Sequence, residues 1–183
     1  SGAANSTNII NAGGTGSDNT SIWLVGWGVN KVFGIYPKGS PMGLRHYNQG
    51  HTELTDADGG TYMGYKSRFY WDLGLAVADW RYAVRICNID VSLMVADKGT
   101  VSSGADLISL MIRALHKIPN LKNCKPVFYM NEDVLTYLDL QTYKQTNMNV
   151  KYTENPHGEW VWSFRGVPIK QVDKLVNTET VVS

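Results

Sequence analysis

Apolar and polar positions alternate with period two through most of the first half of the chain, the mark of strands with unlike faces. Residues 21–27 and 31–36 are short runs rich in branched and aromatic side chains, separated by turn residues and closed by Pro37. Residues 52–55 and 61–65 flank Asp56-Ala57-Asp58-Gly59-Gly60, which has the composition of a hairpin loop. From Tyr65 the alternation runs on through Phe69, Trp71, Leu73, Leu75 and Val77. After a break near Asp79 it resumes at Tyr82, Val84 and Ile86, with Arg81 and Arg85 on the opposite side. The pattern predicts long antiparallel strands over residues 43–90, with one solvated or partner-facing side.

The period changes in the second half. Leu107, Ile108, Met111, Ile112, Leu115 and Ile118 form a helical stripe that Ser103 is placed to cap. Asp106 falls in its first turn and Arg113, His116 and Lys117 near its end, as the helix dipole favours, and Pro119 stops it. Residues 126–130 read as a short buried strand. Asn131 then caps a second helix, with Glu132 and Asp133 in its first turn and Val134, Leu135 and Leu138 facing inward. Residues 149–154 and 159–164 pair as a hairpin around Asn155-Pro156-His157-Gly158, and Val167-Pro168-Ile169 opens a last strand. The class is α+β, strand-dominated first and mixed later.

Composition narrows the picture. The chain has 183 residues, of which 43% are hydrophobic, 11% aromatic and only 18% charged, so a disordered tail or coiled coil is excluded. Low charge with many aromatics implies surface that lies against a partner. A net charge of +1 argues against a dedicated nucleic-acid binder. No apolar run approaches the roughly eighteen residues of a membrane-spanning helix, and the opening Ser1-Gly2-Ala3-Ala4-Asn5 does not read as a signal peptide. Residues 1–21, rich in Asn, Gly, Ser and Thr, read as a flexible arm or linker with ordered structure beginning after it. Cys87 and Cys124 belong to no C-x-x-C unit; they could pair with each other, but buried free thiols of a reducing compartment are the favoured reading.

Catalytic and ligand motifs are weak throughout. His51-Thr52-Glu53 has the H-x-E pattern of zinc deaminases but lacks the P-C-x-x-C partner, so it reads as an exposed strand segment. Asp56-Ala57-Asp58-Gly59 lacks the carboxylate that closes a calcium loop and reads as a turn. The glycines at 13–16 fit neither phosphate-binding pattern, and His46, His116 and His157 share no metal-ligand spacing. Trp71 and Trp80 are candidates for core or interface anchors, whereas Trp160 and Trp162 share a strand face and are read as packing residues. No catalytic residue, cofactor or metal is assigned. A hydrolase with a scattered site would need a deep cleft lined by side chains such as His46, Asp72 or His157.

The order of segments resembles that of a known family. A helix from Gly104-Ala105-Asp106-Leu107-Ile108 to Ile118 comes first, then a strand ending in asparagine before a helix (Val127-Phe128-Tyr129-Met130-Asn131 to Leu138). A hairpin and the strand Phe164-Arg165-Gly166-Val167-Pro168-Ile169-Lys170-Gln171-Val172-Asp173 follow. This resembles the A domain of tailed-phage major capsid proteins, the fold named after phage Hong Kong 97. The strands that ordinarily come next stand instead at the start, as Ile22-Trp23-Leu24-Val25-Gly26-Trp27-Gly28 and Val32-Phe33-Gly34-Ile35-Tyr36. That order is similar to the permuted variant in podoviruses of the Bordetella phage and epsilon-fifteen type, to which residues 80–90 are especially close. The likeness spans residues 8–181.

What the resemblance implies is a Hong Kong 97-type capsid fold with permuted strand order. It has an A-domain-like sheet begun by residues 22–37 and continued by the α+β region 92–183, and long P-domain-like strands at 43–90. No long spine helix is legible, so the resemblance makes the chain the C-terminal portion of such a protein. Its function would be that of a major capsid subunit, not an enzyme, self-assembling into pentamers and hexamers of an icosahedral shell around double-stranded DNA. Assembly would take place in the bacterial host cytoplasm, and the product would be the virion capsid. Partners would be copies of itself, with scaffolding, portal and cement proteins and non-specifically packaged DNA, and no membrane. Trp71, Trp80, Arg81 and Arg85 are the candidate intersubunit contacts. The alternative is a non-enzymatic β-rich decoration or partner-binding module, which predicts no strand adjacency between residues 22–28 and 167–173.

Overall fold

A computed structural model of the chain describes residues 7–39, 43–95, 104–144, 150–154, 158 and 160–182. The strands are β1 (Ile9–Asn11), β2 (Asn19–Trp27), β3 (Val32–Ile35), β4 (Arg45–Thr55), β5 (Thr61–Tyr70), β6 (Gly74–Val77), β7 (Ala83–Asp90), β8 (Lys125–Met130), β9 (Val150–Glu154), β10 (Trp160–Phe164) and β11 (Val167–Gln171). The helices are α1 (Leu107–Lys117) and α2 (Glu132–Lys144). Packing divides the chain into two compact units, one of residues 1–33 with 77–183 and one of residues 34–76.

The larger unit is built on a mixed sheet in the order β1-β7-β2-β8-β11-β10-β9, with β3 added to β2. β2 is antiparallel to β7 on one side and to β8 on the other. β1 joins β7 in parallel, β11 joins β8 in parallel, and β9, β10 and β11 form a meander of two hairpins. The α+β class therefore stands, with a large mixed sheet and two helices among the described residues. Its core is formed by Ile22 and Leu24 of β2, Val84 and Ile86 of β7, and Phe128 and Met130 of β8, all essentially without solvent contact. Against this sheet α1 buries the stripe of Leu107, Met111 and Ala114 and packs on both β7 and α2.

Local chemistry sets the helix ends. Ser103 lies outside the described residues; α1 is capped by Asp106, whose carboxylate accepts the N–H of Ser109 at 3.2 Å. Asn131 caps α2 as expected, its Oδ1 accepting the N–H of Asp133 at 3.2 Å. A polar residue completes the join between the helices. Gln141 of α2 is fully buried, accepts the N–H of Leu107 at 3.2 Å, and donates to the carbonyls of Val95 (3.0 Å) and Ala105 (3.1 Å). It thereby satisfies a first-turn donor of α1 that no intrahelical carbonyl can reach.

Several expectations are corrected. The supposed arm contains a strand: Ile9–Asn11 pairs with β7 and Ile10 is buried. β2 begins at Asn19, with Asn19, Thr20 and Ser21 buried despite their polarity. Asn19 and Thr20 pair with β7, Asn19 also bridges to Glu179, and Ser21, at a register shift, accepts from Arg85; sheet pairing at the centre of a fold outweighs side-chain polarity. The long-strand region does not run through to residue 90, because β7 carries buried side chains on both faces and pairs into the large sheet. Nor are the segments at 22–28 and 167–173 neighbours: β8 stands between β2 and β11, as the decoration-module alternative had required. Phe128 and Met130 make β8 strongly apolar, and a strand buried in this way is paired along both edges. The turn expected at Asn155-Pro156-His157-Gly158 falls largely outside the described residues, although the hairpin it would close is present as β9–β10.

The smaller unit is dominated by the β4–β5 hairpin, paired from Thr55↔Thr61 to Arg45↔Tyr70. Its loop is the expected one, closed by the N–H of Asp56 on the carbonyl of Gly60 (2.8 Å) and the N–H of Gly59 on that of Asp56 (3.1 Å).

Replacing Gln141 with the similarly sized leucine is expected to destabilise the protein by about 2–3 kcal/mol, because three buried backbone groups lose their partner. Equilibrium urea unfolding measures this. An unchanged or raised midpoint would show that the Gln141 bonds contribute nothing to the helix junction.

Candidate interaction surfaces

Paired residues of an antiparallel ribbon project to the same side, so the register of β4 and β5 assigns their faces. One face carries His46, His51, Glu53, Met63, Tyr65 and Phe69. His46 stacks on Phe69 with ring centroids 4.5 Å apart, and His51 leans on Tyr65 at 5.1 Å. The other face carries Arg45, Tyr47, Tyr62, Lys66, Arg68 and Tyr70. The guanidinium groups of Arg45 and Arg68 lie 4.7 and 5.6 Å from the centroid of the Tyr70 ring, and Arg45 pairs with Asp72 at 2.7 Å. The register slips by one residue between Asn48 and Gly50, where Asn48 Oδ1 accepts the N–H of Gly50. Gly50 has φ +68°, a conformation that favours glycine at such a bulge.

Neither face of this ribbon is covered. Tyr65 is 83% exposed, and Tyr47, Tyr62, Met63 and Phe69 are also exposed. A two-stranded ribbon in water is marginal at best, and contiguous apolar surface of this kind marks a contact with another molecule. The sequence pattern promised one solvated or partner-facing side; the structure gives two open ones. Trp71, directly after β5, is 54% exposed and is therefore not a core residue.

A second surface lies in the larger unit at the turn before β7. Residues Trp80–Tyr82 form a short 3-10 turn, not the start of a strand. Arg81 closes a bidentate pair with Asp79, Nε at 3.0 Å from Oδ1 and Nη2 at 2.8 Å from Oδ2. These bonds hold the Asp79 carboxyl below its ordinary range and raise the Arg81 guanidinium further. The pair consequently persists at neutral pH and is lost only on strong acidification. Asn8 Nδ2 donates to the carbonyls of Trp80 (2.6 Å) and Ala83 (3.1 Å), which ties the residue just before β1 to this corner. The Trp80 indole, 57% exposed, is presented on a fixed backbone.

Arg85 behaves differently from the other three candidates. Its Nε donates to Ser21 Oγ at 3.0 Å, its Nη2 to Glu179 Oε2 at 2.9 Å, and its guanidinium lies 5.4 Å from the Trp23 ring. Ser21 Oγ donates to the same carboxylate oxygen. Both charged side chains are about four-fifths buried. Arg85 thus fastens the C-terminal segment to β2 and β7, and its charge is satisfied within the chain. Glu179 had no signal in the sequence, being an isolated acid in a polar tail.

The rest of the chemistry is sparse. His51 and Glu53 share a face of β4 while Thr52 points away, and among the described residues no group of three His, Cys, Asp or Glu side chains is placed to hold a metal ion. His46 is stacked on Phe69 and Asp72 is paired with Arg45, while His157 lies outside the described residues. Trp162 packs against the core, but Trp160 is exposed and stacks on Tyr152 at 5.1 Å, which corrects its reading as a packing residue. Cys87 is buried and Cys124 half-buried; burial raises both thiol pKa values. No helix of the described residues is long and apolar enough to cross a membrane.

Over residues 1–183 the chain matches a protein-family model described as Major capsid protein GP7. No curated protein sequence matches it.

Arg85→Ala is expected to lower folding stability by about 1–3 kcal/mol, since Glu179 and Ser21 lose their shared donor. Thermal melting measures the loss; an unchanged midpoint would mean that the cluster is solvated in solution. Cys87 should resist a thiol reagent at neutral pH until the protein unfolds, with Cys124 reacting slowly in the native state. Rapid native labelling of Cys87 would contradict its burial.

Proposed function

This chain belongs to the major capsid protein GP7 family and is a non-enzymatic structural protein of a viral coat, located in the virion capsid, and we propose that it builds the shell as pentamers and hexamers in contact through the β4–β5 hairpin and the Trp80 corner. The observation that carries this reading is the uncovered hairpin. Its large aromatic side chains are withheld from the chain's own core, and they require burial that copies of the subunit supply. Trp71, Trp80 and Arg81 are the proposed intersubunit contacts, with the Asp79–Arg81 pair fixing the corner on which Trp80 stands. Arg85 supports the fold behind them.

The finer architecture we propose is the permuted Hong Kong 97-type arrangement, with this chain as the C-terminal portion of the subunit. The unit bearing the β4–β5 hairpin is then P-domain-like, and the large sheet with α1 and α2 A-domain-like. This is supported by the order of segments and by the way β2 and β11, from opposite ends of the chain, share β8 as a neighbour in one sheet. The shell would enclose double-stranded DNA, with near-zero net charge sufficing where a motor drives packaging. Scaffolding, portal and cement proteins are the further partners expected of such a shell.

Sedimentation velocity at rising concentration, with electron microscopy of the fast fractions, tests the reading. Rings of five or six subunits or closed shells are expected. Trp80→Ala and Trp71→Ala should each weaken association by about 2 kcal/mol or more while leaving the melting temperature near that of the wild type. If either substitution lowers the melting temperature and spares association, that side chain serves the fold and its assignment as a contact fails.

A further inference from the structure

The β4–β5 hairpin is electrically polarised along its length. Glu53, Asp56 and Asp58 lie at or beside the loop end, and none has a cationic partner among the described residues. Toward the open end, Arg45, Lys66 and Arg68 fall on one face by register, accompanied by Tyr47 and Tyr70. Among the described residues the carboxylate paired there is Asp72, bound to Arg45. Lys66 and Arg68 have no carboxylate partner among the described residues. Tyr47, Gln49, Arg68 and Tyr70 line a hollow of about 400 Å³ in this stretch. It combines aromatic walls with a guanidinium, which suits a carboxylate-bearing turn.

We propose that the acidic loop of one copy seats on the basic, tyrosine-lined stripe of a second copy's hairpin. This rests on the coat-protein reading and specifies which end of the hairpin meets which. A single ribbon cannot bring its own loop to its own open end, because paired strands of ten and eleven residues stand between them, roughly 30 Å in length. The complementary charges must therefore meet between molecules. Stripe against stripe, or loop against loop, would oppose like charges. Each copy gives its loop to one neighbour and receives another on its stripe, the unlike-surface arrangement that closes into rings. Partial exposure leaves these charges open to screening, so association through them weakens as salt rises.

Charge reversal on the full chain tests the contact. The stripe variant carries Lys66→Glu and Arg68→Glu, the loop variant Asp56→Lys and Asp58→Lys, and a third chain carries all four. Sedimentation velocity at low and high salt reads association, and thermal melting confirms folding. Each two-site variant should associate about tenfold more weakly than wild type at low salt. The four-site chain, and an equal mixture of the two reversed chains, should recover association to within about threefold. Wild-type association that is indifferent to both reversals overturns the loop-to-stripe contact and leaves the coat reading standing. A four-site chain that melts normally but does not recover has the same consequence. Absence of association by the wild type under every condition overturns both. If the stripe variant assembles normally but loses retention on double-stranded DNA, the stripe faces nucleic acid and the contact between copies is refuted.

Discussion

Everything in the larger unit depends on β2 being paired along both edges. β7 and β8 are far apart in sequence, and each meets β2 antiparallel over most of its length. Among the described residues β1 reaches the sheet only through β7, and β11, β10 and β9 only through β8. Ile22 and Leu24 therefore sit where the two halves of the sheet join, and the helix α1 closes over this junction by packing on β7 and α2. Such non-local pairing has a cost in loop closure, which the buried side chains of three adjacent strands offset together.

The fastenings around this junction are polar and specific. Arg85 links Ser21 to Glu179, Gln141 serves three backbone groups where the helices meet, and Asn8 ties the chain just before β1 to the Trp80 turn. Each lies at the margin of the apolar core and closes a contact between segments distant in sequence. Apolar packing specifies that elements come together; these bonds specify where each segment stops.

The β4–β5 hairpin follows the opposite rule. Its side chains are as aromatic as those of a core, yet they remain in water, and ring stacks and cation–aromatic pairs join its two strands. A coat subunit must fold before it assembles and must keep surface in reserve for its neighbours. The exposed aromatic and charged groups of the ribbon are set out along its two strands by their register.

Periodicity alone determined the nature of most elements. The alternation at residues 52–65 with its Asp-Gly loop produced the hairpin, and the stripe from Leu107 to Leu115 produced α1, because local backbone preference and one-sided burial agree there. The low charge and the aromatic content likewise indicated surface reserved for a partner, and the order of segments indicated a capsid protein. Tertiary structure decided what periodicity cannot encode. It placed β8 between β2 and β11, brought Ile9–Asn11 and the polar Asn19-Thr20-Ser21 into the sheet, and turned Arg85 inward to Glu179 while leaving Trp80 exposed. Period two says that a strand has two unlike faces, but not which edges are paired or which face is covered. Those depend on the complete set of strands competing for the same hydrogen bonds and the same core.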